Sequence, residues 1–512
     1  MEMWERLAYY GMRVVVPIYI MQADEPGGLH FSSAEKGTIY AWWFVFQSIL
    51  PTFTGGFADR YGYKQTIAFS VTLKVLGYVL MATQRTYWGF FLGTMILATG
   101  TAQFKPGIQG SLAQHLDDNN ASKGWGVFYW LVNVGAMIGP PLAGILRGWG
   151  WGWVFYGCAA IVSLNYLMLF TYTEKAPEVR DQRGFLEVFW VTLVNFFQPR
   201  LLVFLLIMSG FWLMMYQLWD LHPNFLTDWV YSGDIAETFS LPELWTEERP
   251  RGLLVKQENM LNLNAALIVI LVIPISIAVA KMRTLAAMLG GMVVATGGII
   301  VAGITQNGWI FLCGVVLFSL GEMLTGPKKN EYLGKIAPPD KKGQYLGYVN
   351  IPVGVGGFIG SLMAGALYGE YGEKAVLAQK YLAEHTDRLD QLGHTWDGEL
   401  ETLAEAVGAD RETAFDTLME VLGKSGQETT DLLWTTYQPY QVWYWFAAIG
   451  VVSTIALFLY NRAARNWPEM NKWIAAKKSR TWESTLETLS YFDTMNLAPW
   501  IKCPVFMGVG LQ

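Results

Sequence analysis

The sequence predicts an all-α membrane protein whose helices form two groups of six, and three observations favour this class. Of the 512 residues, 53% are hydrophobic and only 15% are charged, with a mean hydropathy of +0.27, whereas soluble domains carry about 25% charged residues. Twelve stretches approach the roughly 20 mostly apolar residues that span a bilayer. A polar break at 173–199 divides these stretches equally.

The predicted spans follow one another in chain order. They lie at 1–22, 36–57, 66–83, 87–108, 124–147, 150–172, 200–219, 259–281, 284–305, 308–326, 344–369 and 438–462. The expected domains are an N-terminal bundle at 1–172, a linker at 173–199, helices 7–11 of a C-terminal bundle at 200–370, helix 12 at 437–463 and a tail at 464–512. Paired six-helix halves are typical of secondary transporters, although hydropathy alone does not separate these from some channels and receptors.

The loops of one face are rich in lysine and arginine. DRYGYKQ, PKKNEYLGKIAPPDKK and NRAARNWPEMNKW share a side with the linker if the spans number twelve. Basic loops stay in the cytoplasm, so we predict a multi-pass protein of the cytoplasmic membrane with both termini cytoplasmic. We expect no cleaved signal peptide, because the first apolar stretch lacks a basic leader.

Two segments interrupt the second half, at 220–258 and 371–436. The second contains 14 acidic and 5 basic residues. Its stretches TWDGELETLAEAV and RETAFDTLMEVLGK have the periodicity of short amphipathic helices. We therefore expect an acidic extracytoplasmic insertion at 371–436, whose surface is either simply solvated or binds a partner.

The first predicted span begins with a polar stripe. On an α-helix, the side chains in this stripe fall within a sector of about 140°; they are Glu2, Glu5, Arg6, Tyr9, Tyr10 and Arg13. A charge in a span costs about 2.5–3.5 kcal/mol on insertion scales, so such groups usually pair and face a cavity. The other intramembrane charges are Lys74, Lys105 and Glu322.

The spacing of the stripe allows its charged groups to interact with one another. Glu2 and Arg6 stand one helical turn apart and can form an ion pair, beside which Glu5 supplies a second carboxylate. The alternative is a cluster at a helix end that reaches the membrane interface. Lys105 is either a binding residue that faces a cavity or a lysine at the end of its helix. For Lys74 we expect a structural role.

Several motifs, in the same order, resemble those of the proton-dependent oligopeptide transporter family within the major facilitator superfamily. The stretch from Glu2 to Arg13 resembles the family's ExxER…YYGMR signature, and GGFADRYGYKQTI resembles a cytoplasmic loop shared across the superfamily. Four later stretches are similar to family signatures; they are FKPGI, FYWLVNVGAM, NLNAALIVILVIP and LGEMLTGPKKNEYLGKIAP. The resemblance covers 1–370 and 438–465.

The resemblance implies a proton-coupled symporter, not an enzyme, that imports di- and tripeptides by alternating access. It implies proton coupling by Glu2, Glu5, Arg6 and Glu322. It implies substrate binding by Tyr9, Tyr10, Arg13, Lys105, Asn133, Asn264 and Glu322, in which the cations take the peptide carboxylate and Glu322 takes the amino group. It implies a gating role for Asp59 and Arg60. No cofactor, metal or nucleic acid is expected; the partners are the peptide, protons and the lipid bilayer, and the oligomeric state is open.

The match departs from the family at several positions. In FWLMMYQ, Tyr216 occupies a place that is commonly acidic, and a tyrosine hydroxyl cannot replace a carboxylate in proton transfer at neutral pH. Asp220, one turn later, is a candidate replacement. Ser48 and Gly107 also differ from the family pattern. These changes leave one alternative open, namely transport of another small organic anion or nitrate by the same fold. The acidic insertion and the tail leave a second alternative open, a non-transporting membrane sensor or esterase scaffold.

The two ends of the chain raise separate expectations. TLSYFDTMNLAPWIKCPVFMGVGLQ at 488–512 resembles acetyl xylan esterase and cephalosporin deacetylase enzymes. About 25 residues without a G-x-S-x-G elbow cannot build a hydrolase, so we expect an inactive remnant or a gene fragment. Only Met1 precedes the first motif, which suggests a truncated or misassigned start. Three widely separated cysteines predict neither a disulfide framework nor a metal cluster.

Overall fold

The computed structural model describes residues 1–51, 58, 61–115, 121–174, 197–279, 282–336 and 348–464. The predicted gating residues Asp59 and Arg60 lie outside these ranges, as do most of the linker and nearly all of the tail.

The described part of the N-terminal half is helical. Its helices are α1 (Glu2–Met21), α2 (Ser33–Phe44), α3 (Tyr63–Thr83), α4 (Tyr87–Gln114), α5 (Ala121–Arg147) and α6 (Trp151–Leu169), and α2 continues into a π-helical turn at Val45–Ile49. A capping box begins α2, because the Ser32 hydroxyl accepts the Glu35 N–H at 3.2 Å while the Glu35 carboxylate accepts the Ser32 N–H at 2.8 Å. The helix therefore starts before the predicted span.

The C-terminal half alternates long and short elements. In chain order they are α7 (Pro199–Met215), α8 (Gln217–Asp220), α9 (His222–Trp229), α10 (Gly233–Thr238), β1 (Thr246–Arg249), β2 (Gly252–Val255), α11 (Gln257–Leu261), α12 (Leu263–Val279), α13 (Thr284–Gly303), α14 (Gly308–Ile336), α15 (Ile351–Tyr371), α16 (Lys374–His385), α17 (Arg388–Leu392), α18 (Leu403–Val407), α19 (Ala414–Leu422), α20 (Gly426–Tyr437) and α21 (Val442–Ala464). Short 3₁₀ turns lie at Tyr348–Asn350, Leu400–Thr402 and Pro439–Gln441.

The long helices agree with a twelve-span fold. Eight helical segments in the described ranges are long and apolar enough to cross a bilayer. The long helices α1, α4 and α5, together with α2 and its π-helical continuation, bring the described set to twelve. The chain is therefore a multi-pass membrane protein.

A β-hairpin within 220–258 was not predicted from the sequence. β1 pairs antiparallel with β2, so that Thr246 faces Val255 and Arg249 faces Gly252. Gly252 has φ of 105°, in the region that favours glycine, and this permits the tight connection. We call the hairpin, α9–α11 and α16–α20 the cap, and the end of the bundle where α1 finishes at Met21 the cap end.

Small residues bring helices from different parts of the chain into close contact. α1 crosses α5 where a Cβ on Gly139 would lie 2.5 Å from the Leu7 carbonyl oxygen. α2 from the N-terminal half crosses α15 from the C-terminal half, where a Cβ on Gly37 would lie 2.5 Å from the Ser361 carbonyl oxygen. Small residues allow such approach of helix backbones in membranes. The two halves therefore touch near the start of α2.

Gly139→Ala should destabilise the protein, because the new methyl group meets the backbone of α1 and not a flexible side chain. The expected loss is about 1–3 kcal/mol, as for other overpacked cores. Gly297→Ala is the matched control, since a Cβ at Gly297 in α13 meets nothing within 4 Å. Thermal unfolding of both variants in detergent measures the effect, and equal melting temperatures would contradict the close packing of α1 on α5.

Candidate functional site

A cluster of four charged groups is buried beside α1. The Glu5 carboxylate pairs with the Arg6 guanidinium and with the Lys74 ammonium from α3. Arg6 also lies 3.3 Å from the Glu2 carboxylate. All four side chains are at most 4% exposed. Two carboxylates and two cations balance, so the ionised cluster can remain in a low-dielectric site.

The charge balance of this cluster makes it sensitive to protons. If one carboxylate takes a proton, one buried cation loses its counter-charge and is stabilised only by moving or by finding another anion. Lys74 thus lies in the same cluster as Glu2, Glu5 and Arg6. The sequence led us to expect a structural role for it and gave no partner. The available signal was a lysine in the middle of an apolar span, but its partner depends on how α3 packs on α1.

Tyr9 and Tyr10 extend the polar stripe from this cluster. The Arg6 guanidinium lies 5.0 Å from the Tyr9 ring centre and 5.9 Å from the Tyr10 ring centre. The Tyr9 hydroxyl donates to the Gln47 amide oxygen at 2.8 Å. Tyr10 is close enough to both Arg6 and Glu322 for electrostatic interaction. It therefore lies between the N-terminal cluster and a carboxylate of the C-terminal half.

Glu322 of α14 is half-buried and is bonded within its own half. The Asn264 amide of α12 donates to the Glu322 carboxylate at 3.0 Å and to the Ser319 hydroxyl at 3.0 Å. Within the described residues Glu322 has no ion pair, so it is a carboxylate available to a proton or to an ammonium group.

Asn133, on α5, is half-buried.

The two predicted cationic ligands differ in their surroundings. Arg13 is 5% exposed, and its guanidinium carbon lies 4.1 Å from the Tyr40 ring centre and 4.3 Å from that of Trp43. One of its terminal nitrogens is buried without a described hydrogen-bond partner. Lys105 is exposed, and Glu2, Glu5 and Arg6 lie close enough to interact with it electrostatically. Lys105 is therefore the more accessible cation in this conformation.

Four of the predicted binding residues gather around Tyr216. Its hydroxyl is close enough to Tyr9, Tyr10, Arg13 and Glu322 for electrostatic interaction, although they come from opposite halves of the chain. Its ring packs against Phe44 with 4.7 Å between ring centres. The residue that departs from the family pattern thus lies at the centre of the predicted site.

An ion pair that the sequence did not predict joins the halves nearby. The Lys36 ammonium of α2 lies 2.6 Å from the Asp220 carboxylate of α8, and both side chains are at most 2% exposed. The Ser361 hydroxyl of α15 donates to the same carboxylate. The sequence offered Asp220 as a replacement for the acidic residue whose place Tyr216 occupies. It did not indicate Lys36 as the partner of Asp220.

A second inter-half network lies at the cap end. Arg147 of α5 contacts Glu25 at 2.7 Å and Glu247 of the hairpin at 2.9 Å. Arg249 of the hairpin contacts Glu25 at 2.8 Å and Asp24 at 3.3 Å. Burial opposes ionisation of Asp24, but the Arg249 guanidinium outweighs it and holds the pKa of that carboxyl well below its usual range. These bonds fasten the hairpin to the N-terminal half.

The site therefore consists of charged groups from two helical halves that meet around an aromatic centre. Within the described ranges, no group of three or more His, Cys, Asp or Glu side chains is arranged to hold a metal ion. Charged binding groups at the interface of two helical halves are typical of multi-pass secondary transporters. The fold and the site therefore place the protein in this class.

Comparison with known proteins identifies the family. The model of the Major Facilitator Superfamily matches residues 6–361. The chain belongs to this superfamily. Residues 458–512 match the acetyl xylan esterase family, in agreement with the resemblance of the tail, and most of that segment lies outside the described residues.

Individual relatives are similar over parts of the chain. An uncharacterized transporter of Bacillus subtilis is 29% identical over 181 residues, which cover 34% of this chain and 36% of the relative. A di-/tripeptide transporter of Lactococcus lactis subsp. cremoris is 31% identical over 152 residues, which cover 28% of this chain and 30% of the relative. The matches thus span about a third of these curated relatives.

Solved structures agree in fold over a larger part of the chain. The crystal structure of the peptide transporter named POT, in complex with sulfate, superposes on this chain with a TM-score of 0.60. It is 15% identical, and the superposition covers 90% of this chain and 92% of the other.

Proposed function

We propose that the protein is a proton-coupled symporter that imports di- and tripeptides across the cytoplasmic membrane by alternating access. The proposal rests on the position of Tyr10, which is close to Arg6 of the charged cluster on α1 and also to Glu322 of α14. Tyr216 is close to Tyr10, Arg13 and Glu322. Similarity to a di-/tripeptide transporter of Lactococcus lactis supports the substrate class.

In this proposal the peptide binds between the halves through its two charged ends. Glu322, without an ion pair in the described residues, takes the peptide ammonium group. Lys105 takes the carboxylate, and Arg13 adds a second positive charge beside Tyr216. Asn133 and Asn264 contact the peptide backbone. Because only the ends and the backbone are held, side chains of different size can be accepted.

The buried cluster couples the peptide to protons. A proton on Glu2 or Glu5 disturbs the balance with Arg6 and Lys74, and a peptide carboxylate restores it as a replacement anion. Proton and peptide therefore stabilise each other's binding, which is the thermodynamic requirement of symport.

The cap end is proposed to face the outside of the cell. The ion pair between Lys36 and Asp220 and the network of Arg147 and Arg249 hold the halves together there. Outward opening must separate these contacts, so both belong to the closed outer gate. Asp59 and Arg60, which lie outside the described residues, are proposed to gate the cytoplasmic side.

Glu322→Gln should remove proton-driven accumulation of dialanine in liposomes acidified on the outside, by at least about tenfold, because the amide cannot take a proton or pair with an ammonium group. Glu370→Gln is the matched control, since Glu370 is exposed at the end of α15. Accumulation that persists in Glu322→Gln, or that ignores the proton gradient in the wild type, would contradict the proposed function.

A further inference from the structure

A cavity of about 280 Å³ lies at the cap end, apart from the site around Tyr216. The loop after α1, the β-hairpin, the start of α16 and helix α19 enclose it. The lining groups on which the inference depends are Gln22, Asp24, Glu248, Lys374, Phe415 and Asp416. The cavity joins residues of the N-terminal half to residues of the cap.

Lys374 is the unusual group in this cavity. Its side chain is 4% exposed, and its ammonium nitrogen lies 4.4 Å from the Phe415 ring centre. Among the described residues the ammonium group has neither a hydrogen bond nor an ion pair. Because Lys374 lines the cavity, an anion that enters the cavity could form an ion pair with this ammonium group. The position therefore favours a ligand that brings its own anion.

The two carboxylates that interact electrostatically with Lys374, Asp24 and Asp228, already have hydrogen-bond partners. Asp228 accepts hydrogen bonds from the Gln22 amide at 2.8 Å and the Tyr368 hydroxyl at 2.5 Å. Asp24 accepts from Gln22 at 2.9 Å and contacts Arg249 at 3.3 Å. They interact electrostatically with Lys374 without bonding its ammonium group. An incoming carboxylate would therefore not have to displace an existing ion pair of Lys374.

The other cations that line the cavity already have ion-pair partners. Arg147 and Arg249 contact Glu25, and Arg411 pairs with Glu373. Glu248 and Asp416 line the same cavity as exposed carboxylates, and neither has a bond among the described residues. The free charges thus consist of one buried cation and two carboxylates.

We propose that this cavity binds a small zwitterion, whose carboxylate pairs with Lys374 and whose ammonium group lies against Glu248 and Asp416. Its volume of about 280 Å³ is just below the range of about 300–1,000 Å³ that is usual for drug-sized ligands, which suits an amino acid or a short peptide. The site is separate from the central one and rests on the proposed function only in taking a peptide as the source of the zwitterion.

The test measures equilibrium binding of radiolabelled dialanine and alanine to the detergent-solubilised full chain carrying Glu322→Gln, which removes the proposed partner of the peptide ammonium group at the central site. Adding Lys374→Gln should weaken binding at least tenfold, whereas Lys374→Arg should keep it within about threefold, since both retain a polar side chain and only one retains the charge. Lys380→Gln, on the same helix and outside the cavity lining, is the control and should leave binding unchanged.

Chemical variants of the ligand give a second readout. Dialanine amide, which lacks the carboxylate, should bind at least tenfold more weakly than dialanine, and N-acetyl-dialanine should also lose affinity. Tighter binding of dialanine than of alanine identifies peptides as the source, and the reverse identifies amino acids. Equal binding of dialanine and its amide, or no binding that depends on Lys374, overturns the inference.

The cavity site and the proposed symport function can fail independently of each other, and the two failures give different results. Binding that depends on Lys374 in a protein without dialanine transport would refute the symporter and keep the cavity site. Normal proton-driven uptake together with binding that is insensitive to Lys374 would refute only the cavity site.

Discussion

Asp220→Ala should lower the stability of the protein by about 3–5 kcal/mol, because it leaves the Lys36 ammonium buried without its counter-charge. Lys36 and Asp220 lie 2.6 Å apart and are almost completely buried. Replacing both, as in Lys36→Met with Asp220→Ala, should recover most of the loss, since the pair is removed as a unit. Thermal unfolding in detergent measures both variants.

The control for this prediction is Asp234→Ala, which removes an exposed carboxylate from α10 and should change stability by less than about 0.5 kcal/mol. The double variant also has an expected effect on conformation. Without the ion pair between α2 and α8, the cap end should open more often, as measured by the distance between spin labels on α2 and α15. A double variant as unstable as Asp220→Ala alone would contradict the assignment of the pair.

Lys74→Met should abolish proton-driven peptide uptake, with a loss of at least about tenfold. The buried cluster would then hold two carboxylates and one cation, so a proton retained on Glu2 or Glu5 would restore its balance. A proton that is not released in each cycle cannot drive transport. Uptake of dialanine into liposomes, with and without an acidic exterior, measures the effect.

Lys64→Met is the matched control for Lys74→Met. Lys64 begins the same helix, and its ammonium donates to the Tyr172 carbonyl at 2.9 Å in a half-buried position away from Glu5. The Lys64→Met variant should therefore keep proton-driven uptake within about twofold of the wild type. Exchange of peptide without a proton gradient should survive in Lys74→Met, because the binding groups around Tyr216 remain. Equal proton-driven uptake by the two lysine variants would show that Lys74 has only a packing role.

The class of fold could be predicted from the sequence because hydropathy reports membrane spans directly. The Major Facilitator Superfamily match confirms that part. The opening stripe could also be placed on one helix face, since spacing within a single helix fixes its geometry. The ion pair of Glu2 and Arg6 follows from the same local rule.

The features that depend on packing between distant segments could not be predicted in this way. The pair of Lys36 and Asp220 requires the crossing of α2 and α15 and the short helix α8 after α7. Arg13 was predicted as a binding residue, but its contacts with Tyr40 and Trp43 of α2 depend on how α2 packs beside α1. The hairpin at Thr246–Val255 has the sequence TEERPRGLLV, which lacks a clear alternation of apolar and polar residues.

Proton and peptide are proposed to move together through the site between the charged cluster of α1 and Glu322. The most direct measurement is the internal pH of liposomes that contain the protein and a pH-sensitive dye, after dialanine is added outside at equal starting pH. We expect dialanine to acidify the interior of the liposomes, and Glu322→Gln to remove this signal. Entry of radiolabelled dialanine without any acidification would contradict the proposed coupling.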